Sequence, residues 1–391
     1  MSWNNVIDQR RVVEALRGAI AAGRVAHAYL FRGPDGVGKR AVAIEFAKAL
    51  LCERGGDEGC GACRACSRVE RMLHPDLRFF FAQPKDTDAS AVAERLQLLA
   101  RNPYAAVDFL RRPSLGDPTK SSNKQAIYDV DRVREEIIRT TSLTPVEGRY
   151  KVTVITDAEL FNAASANAFL KTLEEPAPRS VFILTTSRPD LLLPTILSRC
   201  QSLRFEPLPP EALAAALVER EGVDPDAAET LARMADGSYM EALDLARNDD
   251  LMGLRMMVLD FMRMSYARNI ERLADLVDQT ARLGRDQVKN VLELMLRWVR
   301  DLILHRSLGG DAPLVNVDQK DAVAKFSENL PDADLEGMVG VIEEAIHLIE
   351  RNAHVNLTLT VLSQRIGRAM RGRLAEPLYV PLADEELRRT A

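Results

Sequence analysis

The chain contains no stretch of about 18 uninterrupted apolar residues, the length a membrane-spanning helix needs, so no membrane association of that kind is expected. Its opening residues, MSWNNVIDQRRVVEALRG, lack the apolar run of a secretory signal, and the cytoplasm is the expected compartment. A basic excess is also missing: 52 Lys and Arg stand against 57 Asp and Glu, for a net charge of -5. A protein that grips duplex DNA alone usually carries a basic segment to neutralise phosphates, so any DNA contact here is expected to be shared with partners. Cysteine is scarce, five in 391 residues, yet four of the five lie between Cys52 and Cys66. That crowding excludes a disulfide scaffold for a chain of this size and points to a metal.

What is present is ordinary for a soluble globular protein, 47% hydrophobic and 28% charged residues. The length predicts two or three domains. Residues 9–22 place Val12, Val13, Leu16 and Ile20 at helical spacing. AYLF (28–31) reads as a buried strand, GPDGVGK (33–39) as a glycine loop, and 41–51 as a helix, the opening of a βαβ unit. YKVTVITDA (150–158) and SVFILTTS (180–187) are two further β-branched runs with a helical stretch, 163–173, between them. Strands recurring with helices between them predict a parallel sheet covered on both faces. After Phe205 no strand is expected: EPLPP (206–210) reads as a linker, three short helices follow, and long amphipathic patterns dominate from about 251 to 373. The region 82–124, with a helix-like piece at 91–100 and the polar run DPTKSSNK, reads as a surface insertion.

Gly33, Gly36, Gly38 and Lys39 fit G-x-x-x-x-G-K, in which backbone N–H groups and a helix N-terminus cradle phosphates and the lysine reaches the outer ones. The next residue should be Ser or Thr, whose hydroxyl holds Mg²⁺, and is Arg40. A guanidinium offers no lone pair to a metal, which argues against Mg·ATP and leaves nucleotide binding open. After the second long strand come Asp157, Ala158 and Glu159: a carboxylate able to organise Mg²⁺ is present, its catalytic neighbour is not, and Glu159 is expected to point elsewhere. The alternative is that Asp157 and Glu159 simply start a helix, where acids are favoured. Cys52, Cys60, Cys63 and Cys66 make C-x7-C-x2-C-x2-C, a set of four thiolates suited to structural Zn²⁺ with no open position; unliganded or redox-active thiols are the alternative. His74 reads as a turn residue before the next strand, with a spare-ligand role as the alternative.

AHAYLFRGPDGVGK, SANAFLKTLEEPAPRSVFILTTS and LPTILSRCQ together resemble the motif string of bacterial clamp-loader AAA+ subunits, over about residues 6–245. The resemblance implies an AAA+ α/β domain at 1–207 with a zinc module at 52–66 and the insertion near 82–124. It further implies a helical lid at 208–249, a helical collar at 250–375 that joins other subunits in a hetero-pentamer, and a loosely held tail at 376–391. In that family a Ser-Arg-Cys motif, here Ser198-Arg199-Cys200, supplies an arginine finger to the ATP site of the neighbouring subunit. Thr185 or Thr186 falls at the sensor-1 position, and Met240 falls where active members carry the sensor-2 arginine. Arg40, Ala158 and Met240 are thus altered while Arg199 is kept. The resemblance implies a loader subunit without ATPase activity of its own, acting with the other subunits, the sliding clamp and, through the assembly, primer–template DNA. An active motor subunit, or a zinc-dependent interaction module outside replication, are the alternatives.

Overall fold

The computed structural model describes residues 3, 5–110, 112, 115, 126–247, 251–267 and 269–379. The polar run at 117–124, the expected lid–collar boundary at 249/250 and the tail from 380 onward lie outside them. The chain divides into two compact units: Met1–Ala228 with Ala235–Asp244, and Glu229–Met234 with Leu245–Ala391.

The first unit is built on β1 (Ala28–Arg32), β2 (Leu77–Phe80), β3 (Lys151–Ile155), β4 (Ser180–Thr186) and β5 (Gln201–Arg204). They form a five-stranded, wholly parallel sheet in the order β2-β3-β4-β1-β5. Ala28 pairs with Phe182, Tyr29 with Gln201, and Lys151 with Ser180, which places β1 between β4 and β5 and the ends of β1, β3 and β4 at one edge. Successive side chains alternate between faces. Tyr29, Phe31, Val152, Val154, Val181 and Ile183 enter one core with α1 (Arg10–Ala21) and α2 (Lys39–Leu51). Ala28, Leu30, Phe182 and Leu184 enter the other, with α5 (a helical stretch over 130–141) and α6 (Ala163–Glu174). Because both faces are covered, VFIL in β4 has no polar alternation to lose. β5, exposed along most of its length, lacks any such pattern.

The remaining helices of this region are α3 (Arg64–Glu70), α4 (Ala89–Arg101), α7 (Pro194–Leu197), α8 (Pro210–Glu221), α9 (Pro225–Met234) and α10 (Tyr239–Ala246). α6 starts where the Asn162 side chain accepts the Ser165 N–H at 2.8 Å, and α8 ends on Gly222 in the left-handed region.

The second unit is all helical among its described residues: α11 (Leu251–Ala267), α12 (Ile270–Arg282), α13 (Arg285–Leu308), α14 (Lys320–Asn329), α15 (Leu335–Glu350) and α16 (Val355–Ala369). Leu254, Val258, Phe261 and Met262 of α11 and Val288, Val291, Met295, Trp298 and Leu302 of α13 enter one core. These positions recur every three or four residues, one face of each helix. The first residues of the expected tail are tied down. Glu344 accepts the N–H groups of Leu378 (2.7 Å) and Tyr379 (3.0 Å), and Glu376 pairs with Arg365 and Arg368. The expected class, an α/β domain on a parallel sheet continued by helices, is the one observed. No helix among the described residues is long and apolar enough to cross a membrane.

One buried carboxylate organises the far edge of the sheet. Asp76, fully buried, accepts N–H groups from Val146 (2.7 Å), Glu147 (2.8 Å) and Gly148 (2.7 Å). Burial alone would raise its pKa, but the three donors outweigh it and hold the carboxyl below its usual range. The ionised form therefore stabilises the fold at every pH above the unfolded value of about 3.9, and the contribution disappears as pH falls through the lower folded value. Asp76→Ala, which strands three donors, is expected to cost about 3 kcal/mol in urea denaturation at neutral pH. The difference from the parent chain should shrink as the pH drops below about 4.

Candidate functional site

β1 ends at Arg32 and the glycine loop turns directly into α2, whose first residue is Lys39. Gly36 (φ +75°) and Gly38 (φ +102°) both occupy backbone that side chains rarely adopt. A Cβ at Gly38 would also lie 2.9 Å from the Tyr104 hydroxyl. The loop opens on a cavity of about 480 Å³, and Gly36, Gly38, Lys39, Asp157 and Thr185 all line it. Gly33 and Thr186 sit behind that wall, joined by a Gly33 N–H to Thr186 O bond of 3.2 Å. Thr185, not Thr186, thus faces the cavity, and its hydroxyl accepts the Asp157 N–H at 3.3 Å.

Two of the three altered positions lie in this wall. Arg40 and Met240 line the cavity, the Arg40 guanidinium donating to Ala105 O at 3.1 Å and to Met240 Sδ at 3.5 Å. Ala158, fully buried, opens a single 3₁₀ turn, Ala158–Leu160. That turn corrects the expectation for Glu159: the tight backbone brings it back to the cavity wall. There its Oε1 accepts both the N–H (3.1 Å) and the hydroxyl (2.8 Å) of Ser187, while Oε2 is buried without a partner. Asp157 itself has φ +51° and caps nothing with its side chain.

The Lys39 ammonium, nearly buried, donates to the loop's own carbonyls, Gly33 O and Pro34 O, at 2.6 Å each, and lies 3.5 Å from Asp35. Burial lowers its pKa, with Asp35 and Asp157 pulling the other way. Asp157 is pushed up to about 7, chiefly by burial. Arg40 opposes that shift, and Asp108, Glu159 and Asp35 add to it.

Four cavity residues come from a part of the chain whose role the sequence did not reveal. Pro103, Tyr104, Asp108 and Leu110 follow α4, inside the stretch read as a surface insertion. Buried Arg95 holds them in place by donating to Val107 O (2.9 Å) and Arg112 O (2.7 Å) beneath the Phe109 ring. Ser187 and Arg188 complete the wall from the end of β4. No periodicity marks these residues.

Arg199 is not in this wall. It follows α7 with its side chain one-third exposed, pairs with Glu174 at 2.6 Å and donates to Thr195 O at 2.9 Å. Cys200 packs against the core beside α6, and burial raises its pKa to about 12.

The other four cysteines converge at the C-terminal end of α2. All four sulfurs lie within 4.8 Å of one another, with Cys52 to Cys63 and Cys60 to Cys66 at 4.0 Å each. A disulfide needs sulfurs about 2 Å apart, whereas four thiolates on a tetrahedral ion with bonds of about 2.3 Å stand about 3.8 Å apart. The donor set fits a metal. Backbone N–H groups of Cys60, Cys63 and Cys66 point at the sulfurs of Cys52, Cys60 and Cys63, the shell expected around thiolates. His74, buried, is the expected turn residue: its Nδ1 accepts the Asp76 N–H at 3.1 Å just before β2.

A strand, a glycine loop and a helix N-terminus facing a carboxylate at the end of a parallel neighbour define a P-loop protein. The chain belongs to the DNA polymerase III, delta subunit family, which matches residues 8–209. It is 29% identical to DNA polymerase III subunit delta′ of Bacillus subtilis, over 91% of this chain and 95% of that one. To the delta′ subunit of Escherichia coli it is 28% identical, over 84% of each. The tau subunit of Bacillus subtilis is 22% identical across 93% of this chain, which spans only 61% of that protein's length.

Purified chain is expected to carry about one tetrahedrally bound metal ion. Cys63→Ser should release it and leave three thiols of the cluster open to titration under reducing conditions. Metal-free parent chain with four titratable thiols in the cluster would contradict this assignment.

Proposed function

We propose that this chain is a delta′-type subunit of a bacterial clamp loader, without ATPase activity of its own, that donates Arg199 to the ATP site of a neighbouring motor subunit. One observation carries the reading: of three positions needed for hydrolysis, Arg40 and Met240 are altered in the wall of one cavity and Ala158 is a buried core residue next to Asp157, while Arg199, outside that wall and partly exposed, is kept. A permanently charged, planar guanidinium suits the stabilisation of a phosphoryl group in trans. Its tether to Glu174 is a partly exposed ion pair, weak enough to exchange for a phosphate. Similarity to delta′ subunits along nearly their whole length, against partial coverage of tau, supports the assignment.

In this reading residues 250–375 are the collar that joins the hetero-pentamer, and the protein works in the cytoplasm. Contact with the sliding clamp and with primer–template DNA is made through the assembly, in keeping with the net charge of -5. The ion held by Cys52, Cys60, Cys63 and Cys66 is structural Zn²⁺, since an all-thiolate set leaves no position for a reacting water.

Arg199→Ala, reconstituted into the loader, should reduce DNA-stimulated ATP turnover at the neighbouring site by roughly 10³-fold or more, the effect of losing an arginine finger. Unchanged turnover removes the finger assignment. The isolated chain with Mg·ATP should show no hydrolysis above that of Lys39→Ala. Turnover abolished by that substitution would make the chain a motor subunit, the reading that Lys39 and Asp157 by themselves favour.

A further inference from the structure

We infer that Arg40 is a built-in cation that takes the place of a metal-bound nucleotide, pinning the glycine loop, the 103–110 segment and the lid turn at 237–240 to one another. The inference rests on the reading above in one respect, that the loop is not a working ATPase site.

The three parts meet in direct contact. From the first residue after Lys39, the Arg40 guanidinium reaches the 103–110 segment through Ala105 O and the start of α10 through Met240 Sδ. The lid turn sits directly on the loop: the Tyr239 N–H donates to Gly36 O at 3.1 Å, and a Cβ on Gly36 would come within 2.0 Å of the Ser238 hydroxyl. The 103–110 segment is held to both. The Tyr104 ring packs edge-on against Tyr239 with centroids 5.1 Å apart, and its hydroxyl accepts the Ile7 N–H at 2.8 Å. Lys39, meanwhile, is spent on the carbonyls of Gly33 and Pro34.

Charge explains why a cation is needed. The cavity wall holds four carboxyl groups, Asp35, Asp108, Asp157 and Glu159, against Lys39, Arg40 and Arg188. Where the motif has Ser or Thr, Mg²⁺ would supply the missing positive charge and leave again with its nucleotide. A guanidinium on the chain supplies it permanently, and one of its nitrogens, Nη2, reaches both neighbours. Bound ligands shift an equilibrium only while they are bound; a covalently attached cation holds one arrangement throughout. The closed lid of this chain is therefore set by its sequence and not by nucleotide.

The test is amide hydrogen exchange on the full chain, without nucleotide and then with Mg·ADP. Arg40→Thr should speed exchange at 103–110 and 236–244 by roughly tenfold or more, the scale of losing about one hydrogen bond to a charged donor. It should also restore a hydroxyl beside Asp157, so that Mg·ADP binds in calorimetric titration and slows exchange back towards the parent level. The parent chain should bind no Mg·ADP and exchange identically with and without it. Arg40→Lys keeps the charge but not the reach of Nη2 to Ala105 and Met240, and should loosen the same two segments without gaining Mg·ADP binding. The inference is overturned if folded Arg40→Thr and Arg40→Lys both exchange like the parent, or if Mg·ADP slows exchange in the parent itself. ATP hydrolysis by the parent chain would instead remove the silent-subunit reading, and the nucleotide-free comparison of parent and variants would still report on Arg40.

Discussion

A parallel sheet gathers its carboxyl ends at one edge, and here that edge must receive three chains within a few ångströms of one another. β1 leaves through the glycine loop, β3 and β4 leave beside it, and the lid turn returns to lie on top. Only backbone fits at the centre, which is why Gly36 faces Ser238 and Gly38 faces Tyr104 with no room for a side chain. Everything else about the site follows from that crowding. Burial raises the Asp157 pKa, lowers that of Lys39 and leaves Glu159 with one oxygen unpartnered. Closely packed carboxyl groups in such a place must be neutralised, and the chain does so with its own arginine.

The central strands and the long helices were legible in the sequence because each carries a periodic or continuous apolar signal. The run at 180–187 became β4, and the patterns at 163–173, 286–305 and 335–353 became α6, α13 and α15 within a few residues. The cysteine cluster was legible because metal geometry forces close spacing when the ligands come from neighbouring turns. β5 was not, since QSLR is exposed along most of its length and has no alternation to read. The stretch at 103–110 was misjudged as purely superficial for a similar reason. Its place in the cavity depends on Arg95, a charged residue in an otherwise apolar helix face, buried by contacts to distant carbonyls. The position of Glu159 was not legible because it depends on the tight 3₁₀ turn that the chain makes after β3.

The motifs located the altered positions but could not say what replaced their function. Arg40 and Met240 each read as a loss when taken alone. In space they touch, and the pair of losses becomes a contact between two elements 200 residues apart in the chain. Substitutions that disable a catalytic site can in this way be structural additions as well.

α2 joins the two chemically distinctive places in the first unit. It begins at Lys39 in the loop, ends at the residue before Cys52, and is buried along nearly its whole 13 residues, a rod about 20 Å long. Arg17 of α1 braces the far end through Asp57 at 2.7 Å. A helix packed on all sides cannot bend to absorb a shift at either terminus. The cysteine cluster and the glycine loop are thus the two ends of one buried helix, and whatever displaces one end must also disturb the core packed along its length.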